Sequence, residues 1–133
     1  MPFQFSIAAR NAAGDALETA IGASPVLRLR TGEPPANCAA ARQGTILAQT
    51  TLPADVWAAA ANGSKVLNAS VAEFIANATG NVGHFEIMQG STCHIQGNVT
   101  ATGGGGDMTM PTVAVVESQP VRVNVLTLVM GGA

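Results

Sequence analysis

The residues best suited to metal binding or nucleophilic catalysis are His84, Cys93 and His94, which lie close together in the chain. Zinc sites take such ligands at spacings like Cys-x-x-Cys or His-x-x-x-His, and neither spacing is present here. A Cys–His catalytic pair needs both side chains on one side, whereas adjacent residues of a strand point to opposite faces. The segment therefore predicts no metal ligands and no catalytic pair.

The glycine run Gly103–Gly106 is the other candidate, because glycine-rich loops can bind phosphate. A phosphate loop continues with Lys and then Ser or Thr at the start of a helix. Here Asp107 follows, whose negative charge would repel phosphate, so we interpret the run as a flexible turn. The eight carboxylates are dispersed and no Gly-x-Ser-x-Gly motif is present. We therefore predict no catalytic residues, no cofactor and no enzyme activity.

The two histidines and Cys93 are carried by the clearest hairpin in the sequence. The segments Val82–Met88 and Thr92–Val99 alternate between apolar and polar residues, and a turn at Gln89-Gly90-Ser91 separates them. If Met88 faces Thr92, the buried face of the hairpin contains Phe85, Ile87, Cys93 and Ile95. The opposite, polar surface then contains His84, Glu86, His94 and Gln96, with Glu86 across from His94.

An N-terminal helix is predicted from Ser6 to Gly22, because Ser6 can cap its start and Gly22 can end it. Gly14 weakens the helix by about 1 kcal/mol relative to Ala, so packing rather than propensity should stabilise it. The expected docking face is thin and amphipathic, and it contains Ala12, Ala16, Leu17, Ala20 and Ile21. Small side chains let another backbone approach, so we predict interface residues at Ala12, Ala16, Leu17 and Ala20.

Further strands are predicted by short segments bounded by Gly, Pro and Asn, namely Val26–Arg30, Thr45–Leu52, Met108–Val116 and Val121–Met130. In the first of these, Leu27 and Leu29 face one side and both arginines face the other. Residues 54–79 are interpreted as a long hairpin around the turn signal Asn62-Gly63. The pattern predicts one mainly β domain spanning residues 1–133, an antiparallel β-sandwich or jelly-roll-like domain with one N-terminal α-helix.

The last predicted strand points to self-association. Val125-Leu126 breaks the period of two, which indicates that both faces of the strand's end are covered. The core is expected to cover one face of this strand, and a neighbouring copy is expected to cover the other. We therefore add Leu126 and Leu128 to the predicted interface and expect a homo-oligomer, either a dimer or a trimer.

The composition restricts the possible partners. Of the 133 residues only 11% are charged, against about 25% in an average soluble protein, which favours a domain packed against neighbours over a neutral monomer. The six Lys and Arg residues are scattered singly, so no nucleic-acid partner is expected. No apolar run approaches the roughly 18 residues of a membrane-spanning helix, so no membrane partner is expected.

The beginning of the chain and the two cysteines bear on the compartment. Met1-Pro2-Phe3-Gln4-Phe5 lacks the basic region and long apolar core of a signal peptide, so synthesis and retention in a cytoplasm are expected. A reducing compartment favours two free thiols at Cys38 and Cys93. A Cys38–Cys93 bridge is the alternative, formed by oxidation of a particle after its release.

Motifs along nearly the whole chain carry a family resemblance. In the N-terminal half they are Phe3-Gln4-Phe5-Ser6, Ala8-Ala9-Arg10-Asn11-Ala12, Asp15-Ala16-Leu17-Glu18, Ile21-Gly22, Leu29-Arg30-Thr31-Gly32 and Pro34-Pro35-Ala36-Asn37-Cys38-Ala39-Ala40-Ala41. Further along they are Leu52-Pro53-Ala54, Gly83-His84-Phe85, Cys93-His94-Ile95-Gln96-Gly97 and Gly105-Gly106-Asp107-Met108. These motifs resemble a family of small virion proteins of tailed bacteriophages and prophages. The sequence departs from it at Ala72-Glu73-Phe74-Ile75-Ala76, where a more polar strand with a Trp is usual.

The resemblance implies a structural role and supplies no catalytic residues. It implies a virion component, namely a decoration or cement protein that bridges major capsid subunits on the capsid surface. The expected partners are the major capsid protein and further copies of this chain, with synthesis in the cytoplasm of the bacterial host. A tail, neck or fibre-associated structural component is the alternative.

Overall fold

The computed structural model describes residues 4–53, 57–66, 73–124 and 127–129. The protein is mainly β with one helix at its N-terminus, as predicted, and its curled, largely antiparallel sheet is compatible with a β-sandwich. Helix α1 spans Ile7–Ile21. The Ser6 hydroxyl accepts a hydrogen bond from the backbone N–H of Ala9 at 3.1 Å, and Gly22 ends the helix with φ of 82°. Both predicted helix ends are confirmed.

The described strands are short, and only five of them join one sheet. They are β1 (Val26–Arg30), β2 (Ile46–Thr51), β3 (Ser64–Val66), β4 (Phe74–Ile75), β5 (Gly80–Asn81), β6 (His84–Gln89), β7 (Thr92–Ala101), β8 (Met108–Met110), β9 (Ala114–Val115), β10 (Pro120–Val121) and β11 (Thr127–Val129). The sheet has the order β2-β1-β6-β7-β8, and the other described strands form the pairs β10-β4, β11-β3 and β5-β9.

One face of the five-stranded sheet forms the core. β1 lies antiparallel to β6, with Leu27 opposite Ile87 and Leu29 opposite Phe85. These four side chains are at most 1% exposed. The alternation predicted for Val26–Arg30 is confirmed, because both leucines contribute to this core while Arg28 and Arg30 belong to the other face. Ile21, at the end of α1, is also fully buried in the core.

The hairpin β6–β7 forms, but its register differs from the predicted one. Its turn contains only two residues, so Gln89 rather than Met88 pairs with Thr92. A β-bulge then shifts the register, and His94 becomes the extra residue on β7. Because the turn has two residues, Cys93 pairs with Met88, and the prediction that Cys93 belongs to the buried face with Phe85 is wrong. Phe85 pairs with Gly97 rather than Ile95.

The second face of the sheet is covered rather than exposed, which corrects the prediction of a polar surface. The connection between β1 and β2, residues 31–45, passes over this face, and we name it the covering loop. His84 and Glu86 are both 0% exposed under it. The predicted pair between Glu86 and His94 is also wrong, because Glu86 lies opposite Gln96. Alternation along a strand separates two faces but does not say which face meets water.

Later parts of the chain pair less regularly than predicted. Asn62 and Gly63 adopt φ of 52° and 76° in a tight turn with an Ala61–Ser64 bridge, which confirms the turn signal. Of the long hairpin proposed for residues 54–79, only the part near this turn forms within the described residues, where Ala58 N–H donates to the Val66 carbonyl at 2.9 Å. β3 and β4 otherwise pair with β11 and β10. The long strands predicted between Met108 and Met130 are replaced in the described residues by four short ones.

The glycine run connects two parallel strands. β7 pairs with β8 in parallel, and the run Gly103–Gly106 lies in the short connection between them. Gly103 has φ of 87°, which favours glycine. A Cβ on Gly106 would lie 2.8 Å from the hydroxyl oxygen of Thr100, so the loop is packed against β7. The predicted turn is confirmed, and packing as well as conformation requires glycine there.

Both outer strands of the sheet have backbone partners from outside the sheet. On β2, the carbonyl of Leu47 accepts hydrogen bonds from the backbone N–H groups of Asn77 and Ala78, at 2.7 and 3.2 Å. On β8, the carbonyl of Thr109 accepts one from Asn124 at 2.9 Å. Irregular segments therefore cover part of each edge.

Candidate interaction surface

Helix α1 docks through only part of the predicted face, because Leu17 and Ile21 contact the core and the alanines do not. Gly14 and Ile21 are its buried residues, and Leu17 is half-buried against the core. Ala12, Ala16 and Ala20 are exposed, so this part of the predicted docking face does not pack on the domain. Successive helical residues rotate by about 100°, which places these three alanines on the side opposite Gly14. The spacing of four residues correctly placed the three alanines on one side of the helix. The side that is buried is the one with the branched residues Leu17 and Ile21.

The alanine face is an exposed, nearly uncharged surface. Ala12, Ala16 and Ala20 lie on it, and the chain just before the helix exposes Phe5, which is 55% accessible. As interface residues, Ala12, Ala16 and Ala20 stay predictions, and exposure leaves them available to a neighbour. Leu17 and Leu128 instead pack partly against the core, so each offers only part of its surface. Leu126 lies outside the described residues.

A buried lysine fixes the helix on the domain. Lys65 on β3 is 3% exposed, and its aliphatic carbons lie 3.6–3.7 Å from the position of a Cβ on Gly14. Its ammonium group contacts the carboxylates of Asp15 at 2.7 Å and Glu18 at 2.5 Å. Asn11 adds a hydrogen bond, accepting the backbone N–H of Gly63 at 2.8 Å. Gly14 is thus the position where the helix must approach β3 closely.

This ion-paired contact predicts a loss of stability at alkaline pH. Burial alone would lower the pKa of Lys65, but its hydrogen bonds to Asp15 and Glu18 outweigh burial and raise this pKa above 10.5. A raised folded-state pKa stabilises the fold below the unfolded value, and this contribution is lost as pH rises through the folded value. We expect urea midpoints to fall above about pH 10.5 in the wild type.

The variant Lys65→Met is the matched control for this pH dependence, since Lys65 is the only lysine in the sequence and the chain has no Tyr. Its midpoint should lack the alkaline decrease specific to Lys65. An equal decrease in both proteins would contradict the assignment. At the acid end, the Lys65 hydrogen bond lowers the pKa of Asp15, so its contribution is lost only below pH 3.8.

The residues considered for metal or nucleophilic chemistry are separated by the fold. His84 lies at one end of the β6–β7 ladder, where its Nδ1 is 2.9 Å from the carbonyl oxygen of Gly32. Cys93 and His94 lie toward the turn at the other end. Among the residues that the structure describes, no group of three or more His, Cys, Asp or Glu side chains could hold a metal ion.

A buried ionic cluster occupies the covered face and was missed by the sequence analysis. The Glu86 carboxylate, 0% exposed, contacts Nε of Arg30 at 2.5 Å and Nη1 of Arg42 at 3.2 Å. Nη1 of Arg28 is 3.9 Å away. The sequence feature that could have pointed to this cluster was the presence of Arg28, Arg30 and Glu86 on predicted strands of a chain with few charged residues. Their pairing depends on β1 lying beside β6, which alternation does not reveal.

An open groove of about 200 Å³ provides a second, mostly apolar surface. It lies along β8, β9 and β10, and its lining residues are Met110, Pro111, Thr112, Ala114, Val115, Pro120, Val121 and Arg122. Ile75, which pairs with Pro120, and Val116, which follows Val115, are each 55% exposed nearby. Within the described ranges, no helix is long and apolar enough to cross a membrane.

Comparisons with protein-family models, with curated proteins and with solved structures found no match to this chain.

Proposed function

We propose that this chain is a structural protein of a bacteriophage virion, a capsid decoration or cement protein that binds the major capsid protein and further copies of itself. In this proposal it bridges neighbouring capsid subunits on the outer surface of the shell and stabilises them as a dimer or trimer. The protein is made in the cytoplasm of the bacterial host. The sequence motifs that resemble small virion proteins support this class of function.

The observation that carries the proposal is the exposed alanine face of α1, together with the exposed Phe5 that precedes the helix. A helix surface of small side chains allows close approach by another protein, and the exposed Phe5 side chain adds apolar area whose burial is favourable. The 11% charge content means that few ionic groups need to be desolvated when such a surface is covered. The groove along β8, β9 and β10 offers a second contact of the same chemistry.

Copy number in purified virions tests the proposal. A decoration protein is expected in numbers comparable with the major capsid protein, measured by quantitative mass spectrometry of intact particles. A few copies per particle would instead support the tail, neck or fibre alternative. Absence from washed particles would contradict both structural roles.

The variant Ala16→Glu tests the alanine face itself. It places a charge on the exposed surface, so the free energy of unfolding should change by less than about 0.5 kcal/mol. Occupancy on particles should fall by about tenfold or more, because a buried unpaired carboxylate opposes binding. The matched control is Ala101→Glu, an exposed position on β7, which should retain occupancy. Equal occupancy of the two variants would exclude the alanine face as the contact.

A further inference from the structure

The two cysteines meet across the covered face of the sheet. Cys38 lies in the covering loop and Cys93 lies on β7, fifty-five residues later. Their Sγ atoms are 2.7 Å apart, and both side chains are half-buried. The contact depends on the two-residue turn at Gly90-Ser91, which pairs Cys93 with Met88 and so brings Cys93 onto the same face as Glu86. The sequence-based pairing had placed Cys93 on the other face, away from Cys38.

Polar contacts anchor the covering loop to the sheet. Arg42 is the centre of this network, because its Nη2 donates to the carbonyls of Asn37, Cys38 and Ala40 at 2.9–3.1 Å. Its Nη1 donates to Gln96 at 2.9 Å and lies 3.4 Å from Cys93 Sγ. These contacts are ionic or must compete with hydrogen bonds to water, so salt and denaturant weaken them. A covalent link at Cys38 would not be weakened in this way.

We propose that Cys38 and Cys93 form a reversible intramolecular disulfide that locks the covering loop over the buried Arg–Glu cluster. The bond forms when the folded protein meets an oxidising solution that contains a low-molecular-weight disulfide. It opens again in a reducing one. The proposal concerns the chain's own chemistry and does not depend on the virion assignment.

The exchange proceeds in two balanced steps. The Cys38 thiolate attacks one sulfur of the small disulfide, whose S–S bond breaks and releases a thiolate that takes up a proton. The Cys93 sulfur then attacks Cys38 Sγ in the mixed disulfide, and the second small thiolate leaves and takes up the Cys93 proton. The protein loses two hydrogen atoms, and the oxidant gains two electrons and two protons to become two thiols.

The surroundings of the two sulfur atoms indicate which cysteine attacks the small disulfide first. Burial, reinforced by the hydrogen bond to Cys38, raises the pKa of Cys93 to about 12, so Cys93 is a poor first nucleophile. Cys38 therefore reacts first. Arg42 acts against this rise in the pKa of Cys93, because its guanidinium favours negative charge on the Cys93 sulfur. The same interaction assists Cys93 during the second step. A sulfur already in contact with Cys38 then closes the bond without movement of the sheet.

The test uses the full-length protein treated with glutathione disulfide or with dithiothreitol. After alkylation in denaturant, the oxidised wild type should show no free thiol and a monomer mass lower by two hydrogens, whereas the reduced protein should show two thiols. The melting midpoint should rise by about 5–10 °C on oxidation. Native trypsin cleavage after Arg42 should slow by about tenfold, because the loop opens less often.

The variants Cys38→Ser and Cys93→Ser are the matched controls, and neither should show an oxidation-dependent change in melting or in cleavage after Arg42. Two titratable thiols in the oxidised wild type would overturn the proposal. So would glutathione retained on the protein or a disulfide-linked dimer, since each shows that the two sulfurs do not close on one another. If the disulfide formed but cleavage after Arg42 did not slow, the proposal that the bond holds the covering loop closed would be contradicted.

Discussion

Replacing Glu86 with Gln is expected to lower the free energy of unfolding by about 3–5 kcal/mol, because it leaves buried guanidinium groups without a counter-charge. Arg30 and Arg42 contact the carboxylate at 2.5 and 3.2 Å under the covering loop. Gln preserves the volume of the side chain, so the loss is electrostatic. Its amide NH₂ would also face a guanidinium donor, which leaves one hydrogen bond unmade.

The control for Glu86→Gln is Glu117→Gln, which makes the same charge change at an exposed position. Its effect should stay within about 0.5 kcal/mol. Urea unfolding followed by circular dichroism measures both variants. Similar stability of the two proteins would mean that the cluster contributes no net stabilisation.

Replacing Phe85 with Ala should also destabilise the fold by about 3–5 kcal/mol, for an apolar reason. Phe85 is 1% exposed at the centre of the sheet, between Leu29 on β1 and Gly97 on β7. A Cβ on Gly97 would lie 2.8 Å from the Phe85 ring, so the ring occupies the space above that glycine. Truncation leaves a cavity that the paired backbones cannot close.

His94→Ala is the comparison for Phe85→Ala, because His94 is the half-buried extra residue of the bulge on the same hairpin. We expect a loss below about 1 kcal/mol in urea unfolding. A larger loss from His94→Ala than from Phe85→Ala would contradict the observed register.

The sequence predicted those parts of the fold that depend on local chemistry. Ser6 and Gly22 define the helix ends through their own hydrogen bonds and backbone angles, and Asn62-Gly63 defines a turn in the same way. The Val26–Arg30 alternation was also sufficient to separate the two faces of β1. These features need no knowledge of which segments are neighbours in space.

The remaining features depend on long-range pairing, and there the sequence analysis failed. The two-residue turn shifted the hairpin register and moved Cys93 to the other face, and a bulge at His94 then changed the pairs that follow. The ionic cluster depended on the pairing of β1 with β6 and on Arg42 in the covering loop, so Glu86 was expected on the surface. Short ladders such as β3–β11 join segments distant in sequence and carry almost no alternation of their own.

The backbone partners on the outer strands of the sheet affect how copies of the protein can meet. An open sheet edge joins identical chains through main-chain hydrogen bonds and propagates without limit at high concentration. Here the Leu47 carbonyl on β2 and the Thr109 carbonyl on β8 already accept hydrogen bonds from Asn77, Ala78 and Asn124. Growth into a continuous ribbon is therefore hindered at both edges of the sheet, and any closed assembly of copies would have to form through side-chain surfaces.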